Sequence, residues 1–411
     1  MSPDLQPGTG TRRRTALLNA AMVVVSILIS YAACELVFFR VVLPVLPMKF
    51  RVYLPDRADF FLQASKSRYL PRDYIALVGD SYAQGMGDWL LSQNGRSSQP
   101  FHSADIIHEL SGRDVVTLGR AAAGSAEAMV LRITRIFGDA YCYLFPTIEE
   151  PKRFFIYFYE GNDIDDNYKL LEHRIRPRDS DVRASIDRFL DETYGAAVRW
   201  RCHGEFGDTI WQVIRFHVKF GLNPNLVVKA GPVAPINRIM IDGTATNAQA
   251  FNVPSSALNE HQIDLGIVVY ERALAWFRRR FPGIPATVVY IPSPATVYRY
   301  AGLQVVSEDI YVPIVSDQEI GHMRLVSGRK FPVSSIYEGS HAMCERIRAV
   351  SLDQGTGFID ARPALRKEAS IRAVHGPRDW NHLNEAGYRV LGKLVAEHLD
   401  DRPSDSCSER F

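Results

Sequence analysis

The chain predicts a doubly wound α/β fold with a central parallel sheet, behind one N-terminal transmembrane helix. Three observations predict it. Short apolar runs alternate with longer stretches of helical period. The run Phe154–Tyr159 is apolar throughout, as in a strand covered on both faces. Residues Thr15–Cys34 carry no charge. Composition agrees: 411 residues that are 46% hydrophobic and 23% charged supply a large core, which excludes a disordered, collagen-like or disulfide-scaffold chain. The net charge of +2, from 48 basic against 46 acidic residues, argues against a nucleic-acid partner held by bulk charge.

The first element is the run Leu17–Ile29, dominated by aliphatic residues within the uncharged stretch. A helix needs about 20 such residues to cross a hydrocarbon core. Arg12, Arg13 and Arg14 precede it directly, which puts the amino terminus inside and the remainder on the periplasmic or outer side. Two other readings compete: a cleaved signal, with Ala32-Ala33-Cys34 resembling a lipoprotein cleavage site, and a buried soluble helix. Apolar character continues past Cys34 through Leu36–Phe39 and Val41–Leu43, which favours a retained anchor. Of the five cysteines, Cys34 lies in this segment. Cys142, Cys202, Cys344 and Cys407 form an even set in a compartment that permits disulfides, with no pairing assigned and no CxxC spacing for zinc.

A stalk interrupted by Pro44, Pro47 and Pro55 leads to the alternating region. Strands are expected at Tyr74–Val78, Asp114–Leu118, Phe154–Tyr159, Ala286–Ile291 and Gly357–Asp360. Helical segments are expected at Ser103–Leu110, Ala126–Phe137, Leu265–Phe281 (stopped by Pro282-Gly283), Ser340–Leu352 and Asn384–Leu399. This divides the chain into a cytoplasmic tail (1–14), an anchor (15–43), a stalk (44–73), one domain (74–400) and a C-terminal tail (401–411). Within the domain, residues 171–263 and 298–338 are long insertions, a length that points to functional covers or subdomains.

The chemistry-bearing residues fall at the expected strand ends. Gly79-Asp80-Ser81 follows the first strand, at the carboxyl edge where open α/β sheets bind ligands. Gly124 follows the second, where a glycine lets a backbone N–H approach closely. Glu160-Gly161-Asn162-Asp163 follows the third, and the Asn162 amide can donate to a developing oxyanion. Asp379-Trp380-Asn381-His382 precedes the last helix; histidine is the natural base for a serine, and an aspartate three residues earlier reaches its other ring nitrogen. Each piece alone also reads as a cap, a turn or a surface histidine. Their joint order is what argues for chemistry.

Gly79-Asp80-Ser81, Gly124, Asn162 and Asp379-x-x-His382 resemble the four blocks of the SGNH (GDSL-type) hydrolase superfamily, over about Tyr74–Leu399 and outside the insertions. The resemblance implies a flavodoxin-like three-layer sandwich, a Ser81 nucleophile, a His382 base and an orienting Asp379. It implies an oxyanion hole from the Ser81 and Gly124 N–H groups and the Asn162 side chain, with no cofactor and no metal. Glu160 departs from the pattern: it stands where the third block usually has its first glycine, which bears on the turn before Asn162.

An SGNH-like domain tethered by one helix resembles proteins that add or remove acetyl groups on exported glycans. It therefore implies a serine esterase or O-acyltransferase acting on an acylated cell-envelope or exported polysaccharide. A lipid or small-ester hydrolase is the alternative enzyme, and a silent scaffold within a polysaccharide assembly complex the alternative from another class. Asp163-Ile164-Asp165-Asp166 lacks the calcium-loop pattern and reads as a solvated turn. Arg174, Arg176, Arg178, Arg183 and Arg188, interleaved with Asp179, Asp181 and Asp187, read as a solvated face. The insertion 171–263 leaves the third strand on the Ser81 edge and is expected to lie over or beside the site.

Overall fold

The computed structural model describes residues 9–46, 54–87, 102–121, 123–138, 140–141, 148–177, 181–195, 200–201, 204–220, 237–307, 310–313, 323–326, 329–377, 379–400 and 406–408. Helix α1 (Thr9–Val37) has 29 residues and continues through a wider turn to Val42. It is long and apolar enough to cross a membrane. Leu17, Val24, Ile29 and Leu36 are all exposed along it, so it is not the buried core helix of a soluble protein. At its end Phe39 packs edge-on against Phe61 of α2 (Asp56–Leu62) and against Tyr69.

The central sheet has five parallel strands: β1 (Ile75–Val78), β2 (Val115–Thr117), β3 (Arg153–Tyr159), β4 (Ala286–Ile291) and β5 (Gly357–Asp360). Their spatial order is β2-β1-β3-β4-β5, the flavodoxin-like winding. Ile75 pairs with Val115 on one side and Arg153 on the other, Phe154 with Ala286, and Gly357 with Thr287. The apolar runs of the sequence mark these strands because each is buried on both faces. In β3, Phe154, Ile156 and Phe158 enter one core, while Phe155, Tyr157 and Tyr159 enter the other.

Helices cover both faces. The first core is closed by α4 (Ser125–Ile133), α5 (Asp163–Leu170), α6 (Val182–Tyr194), α8 (Glu260–Arg280) and most of α9 (Val333–Asp353). The second is closed by α3 (Ser103–Ser111), α10 (Arg362–Ala369) and α11 (Glu385–Glu397). Three boundaries differ from expectation. α4 gives way to a wide turn at Thr134, so it ends before Phe137. α8 starts five residues earlier than its apolar period, because Asn259 and Gln262 cap its polar first turn reciprocally. α9 starts at Val333, well before Ser340.

The 171–263 insertion holds α6, a second helix α7 (Glu205–Phe220) and a hairpin pairing Asn237–Ile241 with Thr244–Ala248. Residues 221–236 of the insertion lie outside the described residues, as do Arg178, Asp179, Cys142 and Cys202. Cys344 and Cys407 form a disulfide that ties the segment around Cys407 to α9, and Ser408 N donates to Asp360 Oδ2 (2.7 Å). Arg174 and Arg183 pair with Glu127 and Glu271 at the surface, as a solvated face does.

Candidate active site

β1 and β3 lie side by side at the point where the winding reverses, and the crevice outside their carboxyl ends is the ligand position of such sheets. β1 leaves through Gly79, where an added Cβ would sit 2.8 Å from the Tyr157 carbonyl oxygen of β3 at a φ of +154°. Only glycine fits that approach. The chain then turns at once into one helical turn, Ser81–Gln84, capped by Asp80, whose Oδ1 accepts from Tyr82 N (2.9 Å). Ser81 is thereby lifted at the start of a helical turn on the sheet edge.

Ser81 Oγ lies 2.9 Å from His382 Nε2, across 301 positions of sequence, and His382 Nδ1 lies 2.7 Å from Asp379 Oδ2. Asp379 Oδ1 also accepts from Asn381 N (3.0 Å). The loop bearing these residues is fixed from several sides. Gly376 N donates to Asp379 O, Trp380 Nε1 to Pro377 O, and Asn384 Nδ2 to Ala373 O. Tyr82 OH donates to Asn381 O (2.6 Å), joining the Ser81 turn directly to the His382 loop. A hydroxyl on an imidazole nitrogen whose partner nitrogen meets a carboxylate is an arrangement for moving a proton off oxygen.

Burial pushes the Asp379 carboxyl upward, but the His382 hydrogen bond and charge outweigh it and hold it below the ordinary carboxylate range. Nearby His375 is the opposite case. It is fully buried, and burial drives it down to about 3, so it is a neutral structural imidazole against Tyr298 OH (3.2 Å). Burial pushes Asp80 up to about 6, against the hydrogen bond from Tyr82 N. Ionised Asp80 therefore costs the folded state more than the unfolded one. Stability falls as pH rises from about 4 through about 6, and the penalty is complete above that. Asp80→Asn keeps an acceptor for Tyr82 N and should be more stable than the parent at pH 7 by roughly 2–3 kcal/mol, the gap closing near pH 4. Denaturant unfolding of both proteins at the two pH values measures this. No gain at pH 7 would mean that other groups compensate the buried carboxylate.

The remaining predicted residues also sit at this edge. Gly124 and Asn162 stand at the amino ends of α4 and α5. At Gly124 an added Cβ would meet Asp166 Cβ at 2.8 Å and Asn167 Oδ1 at 3.1 Å, so this glycine lets α5 close onto α4. Asn162 Nδ2 donates to Asp166 Oδ2 (3.1 Å), using one of its two amide hydrogens. Asp163 is no solvated residue: it is fully buried in the first turn of α5, where its Oδ2 accepts from Tyr159 N (2.8 Å). Burial, then the Asp80 charge, push its carboxyl well above the usual range.

Two features were not visible in the sequence. Glu160 is 1% exposed, and its carboxylate accepts from Ser293 N (2.9 Å), Ser340 Oγ (2.7 Å), Tyr290 OH (2.5 Å) and Thr296 Oγ1. It locks the end of β3 to the end of β4 and to α9, two residues before Asn162. The insertion also divides, against the expectation that all of it lies at the site. α6 packs on α8 and α4, and α7 on α1 and α2, while Phe251 meets Trp380 of the His382 loop at 5.8 Å. Among the described residues, Cys344, Asp360 and Cys407 group their ligand-type atoms within 4.8 Å, but both sulfurs are used in the disulfide.

The chain matches no protein-family model and no curated protein. Among solved structures it is similar to an extracellular lipase from Streptomyces rimosus, with a TM-score of 0.35 and 13% identity over 79% of this chain and 98% of that one.

Proposed function

We propose that the chain is a serine-dependent esterase or O-acyltransferase of SGNH type, held at the outer face of a membrane by α1 and acting on acylated cell-envelope or exported polysaccharide. The observation that carries the reaction type is the Ser81–His382–Asp379 alignment at 2.9 and 2.7 Å. His382 Nε2 takes the Ser81 proton as Oγ bonds to the ester carbonyl carbon. Asp379 keeps Nδ1–H in place and stabilises the imidazolium. The tetrahedral oxyanion accepts from Ser81 N–H, Gly124 N–H and the second Asn162 amide hydrogen. Its collapse breaks the carbonyl carbon's bond to the leaving alcohol, which takes the proton from His382 and leaves acyl-Ser81. A water or a sugar hydroxyl then attacks with His382 as base, and Ser81 recovers its proton.

Retention of the anchor is supported by contacts on both sides of the Ala33/Cys34 junction. Tyr31 OH accepts from Gly204 N (3.2 Å), and Phe38 packs on Phe206. A cleaved signal would remove the first of these. The chemistry is tested with a fluorophosphonate and peptide mapping of the full chain, with label expected on Ser81; label on other serines, or on none, overturns the nucleophile. The substrate is tested by mass spectrometry of exported polysaccharide with and without the protein. An unchanged acetyl content removes the glycan reading.

A further inference from the structure

Among the described residues, α7 carries an apolar face that is exposed over much of its length. Phe206, Ile210, Val213 and Ile214 follow helical spacing on one side, with Trp211 at its margin, while Asp208, Gln212 and Arg215 lie opposite. Ile210, Trp211 and Ile214 are 45%, 61% and 48% exposed. The stripe begins at α1. The Phe206 ring lies 6.4 Å from that of Tyr31 and 5.8 Å from that of Phe38, and Phe206 N donates to the Glu35 carboxylate (3.1 Å). An added Cβ at Gly207 would sit 2.5 Å from Tyr31 OH, so the first turn of α7 is pressed onto α1. On the other side, Arg57 Nε pairs with Glu205 Oε1 (2.7 Å), both buried, which fixes this turn to α2.

We propose that α7 lies in the interfacial layer of the bilayer that α1 crosses, with Ile210, Trp211 and Ile214 against lipid, so that the two helices together seat the globular body on the membrane. The inference rests on the reading of α1 as a retained span. The uncharged run of α1 ends at Cys34, and a span of about 20 residues places Tyr31–Phe38 at the outer boundary of the hydrocarbon. The first turn of α7 is bound at that level, and the exposed Ile210, Trp211 and Ile214 follow it directly along the helix. An indole beside two isoleucines is the side-chain chemistry of that layer, with an apolar body and one N–H for the headgroups. The pairing also explains Glu35. A carboxylate near the end of a span is tolerated where backbone N–H groups at a helix start satisfy it, as the α7 amide does here.

The test is tryptophan quenching in the full chain, reconstituted in vesicles of phosphatidylcholine and phosphatidylglycerol brominated near the headgroup end of the acyl chains. Trp211→Phe is the reference, a mild change at an exposed position that isolates this indole from the others. Bromolipid should quench the parent, and Trp211→Phe should lose most of that quenching, with both proteins resisting extraction by alkaline carbonate. If the protein stays in the membrane but the Trp211 signal ignores bromolipid, the proposal is overturned while the span stands. Quenching of that indole by aqueous iodide instead would put the face in water. Shielding from both quenchers would put a second copy or another protein on it. If carbonate releases the parent protein, the span reading fails, and this inference falls with it.

Discussion

Ser81→Ala is expected to lose ester turnover by roughly 10⁴- to 10⁶-fold while keeping its fold, the loss typical of removing a nucleophile that acts as one unit with its base. The hydroxyl's structural share is small. Its contacts are His382 Nε2 at 2.9 Å and Asp80 Oδ2 at 3.4 Å, and losing a hydrogen bond of this kind costs about 1 kcal/mol. Turnover and unfolding are therefore separable readouts. Because the serine and the imidazole act together, adding His382→Ala to Ser81→Ala should lower the residual rate little further. Activity of Ser81→Ala within tenfold of the parent, or fluorophosphonate labelling unchanged by the substitution, would remove Ser81 from the reaction.

How much of this was legible differs by element, for physical reasons. β3 and β4 are buried on both faces by two helical layers, so Phe154–Tyr159 reads as an unbroken apolar run and Ala286–Ile291 as one interrupted only by Thr287. Ser81 and His382 are legible despite their separation because each sits beside an element end, and element ends in a parallel sheet converge on one edge. α10 was not legible. Of its eight residues only Arg362, Leu365 and Ala369 are buried, too short an apolar pattern to stand out. The Glu160 network was illegible for a different reason. Tyr290, Ser293, Thr296 and Ser340 lie 130 to 180 positions downstream, and no local spacing marks them as partners of one carboxylate. The docking of α7 on α1 is also long-range: the amphipathic pattern is local, but the helix it meets is about 170 residues away.

That network leads to the largest expected stability effect. Glu160→Ala should destabilise the fold by roughly 3–5 kcal/mol, the cost of removing the acceptor from buried donors that have lost their water. Two donors have fallbacks: Tyr290 OH can turn to Ser340 O (3.3 Å) and Thr296 Oγ1 to Ser293 O (3.1 Å). Among the described groups, Ser293 N donates only to Glu160, and Ser340 Oγ would be left against the Arg362 guanidinium at 3.5 Å. Arg362 stays paired with Asp360 through Nε and Nη2, so it does not collapse into the space. Glu160→Gln should cost far less. Its amide oxygen can serve Ser293 N and Thr296, and its NH₂ can donate to hydroxyls that rotate to accept. Glu160→Gly, which restores the residue usual in the resembled block, should therefore behave like alanine or worse, since it adds backbone entropy to the lost acceptor. Urea unfolding of the three variants decides it. Alanine and glutamine variants within about 1 kcal/mol of each other would show that the amide oxygen does not take over the acceptor role assigned to it, and would overturn that account of the Glu160 network.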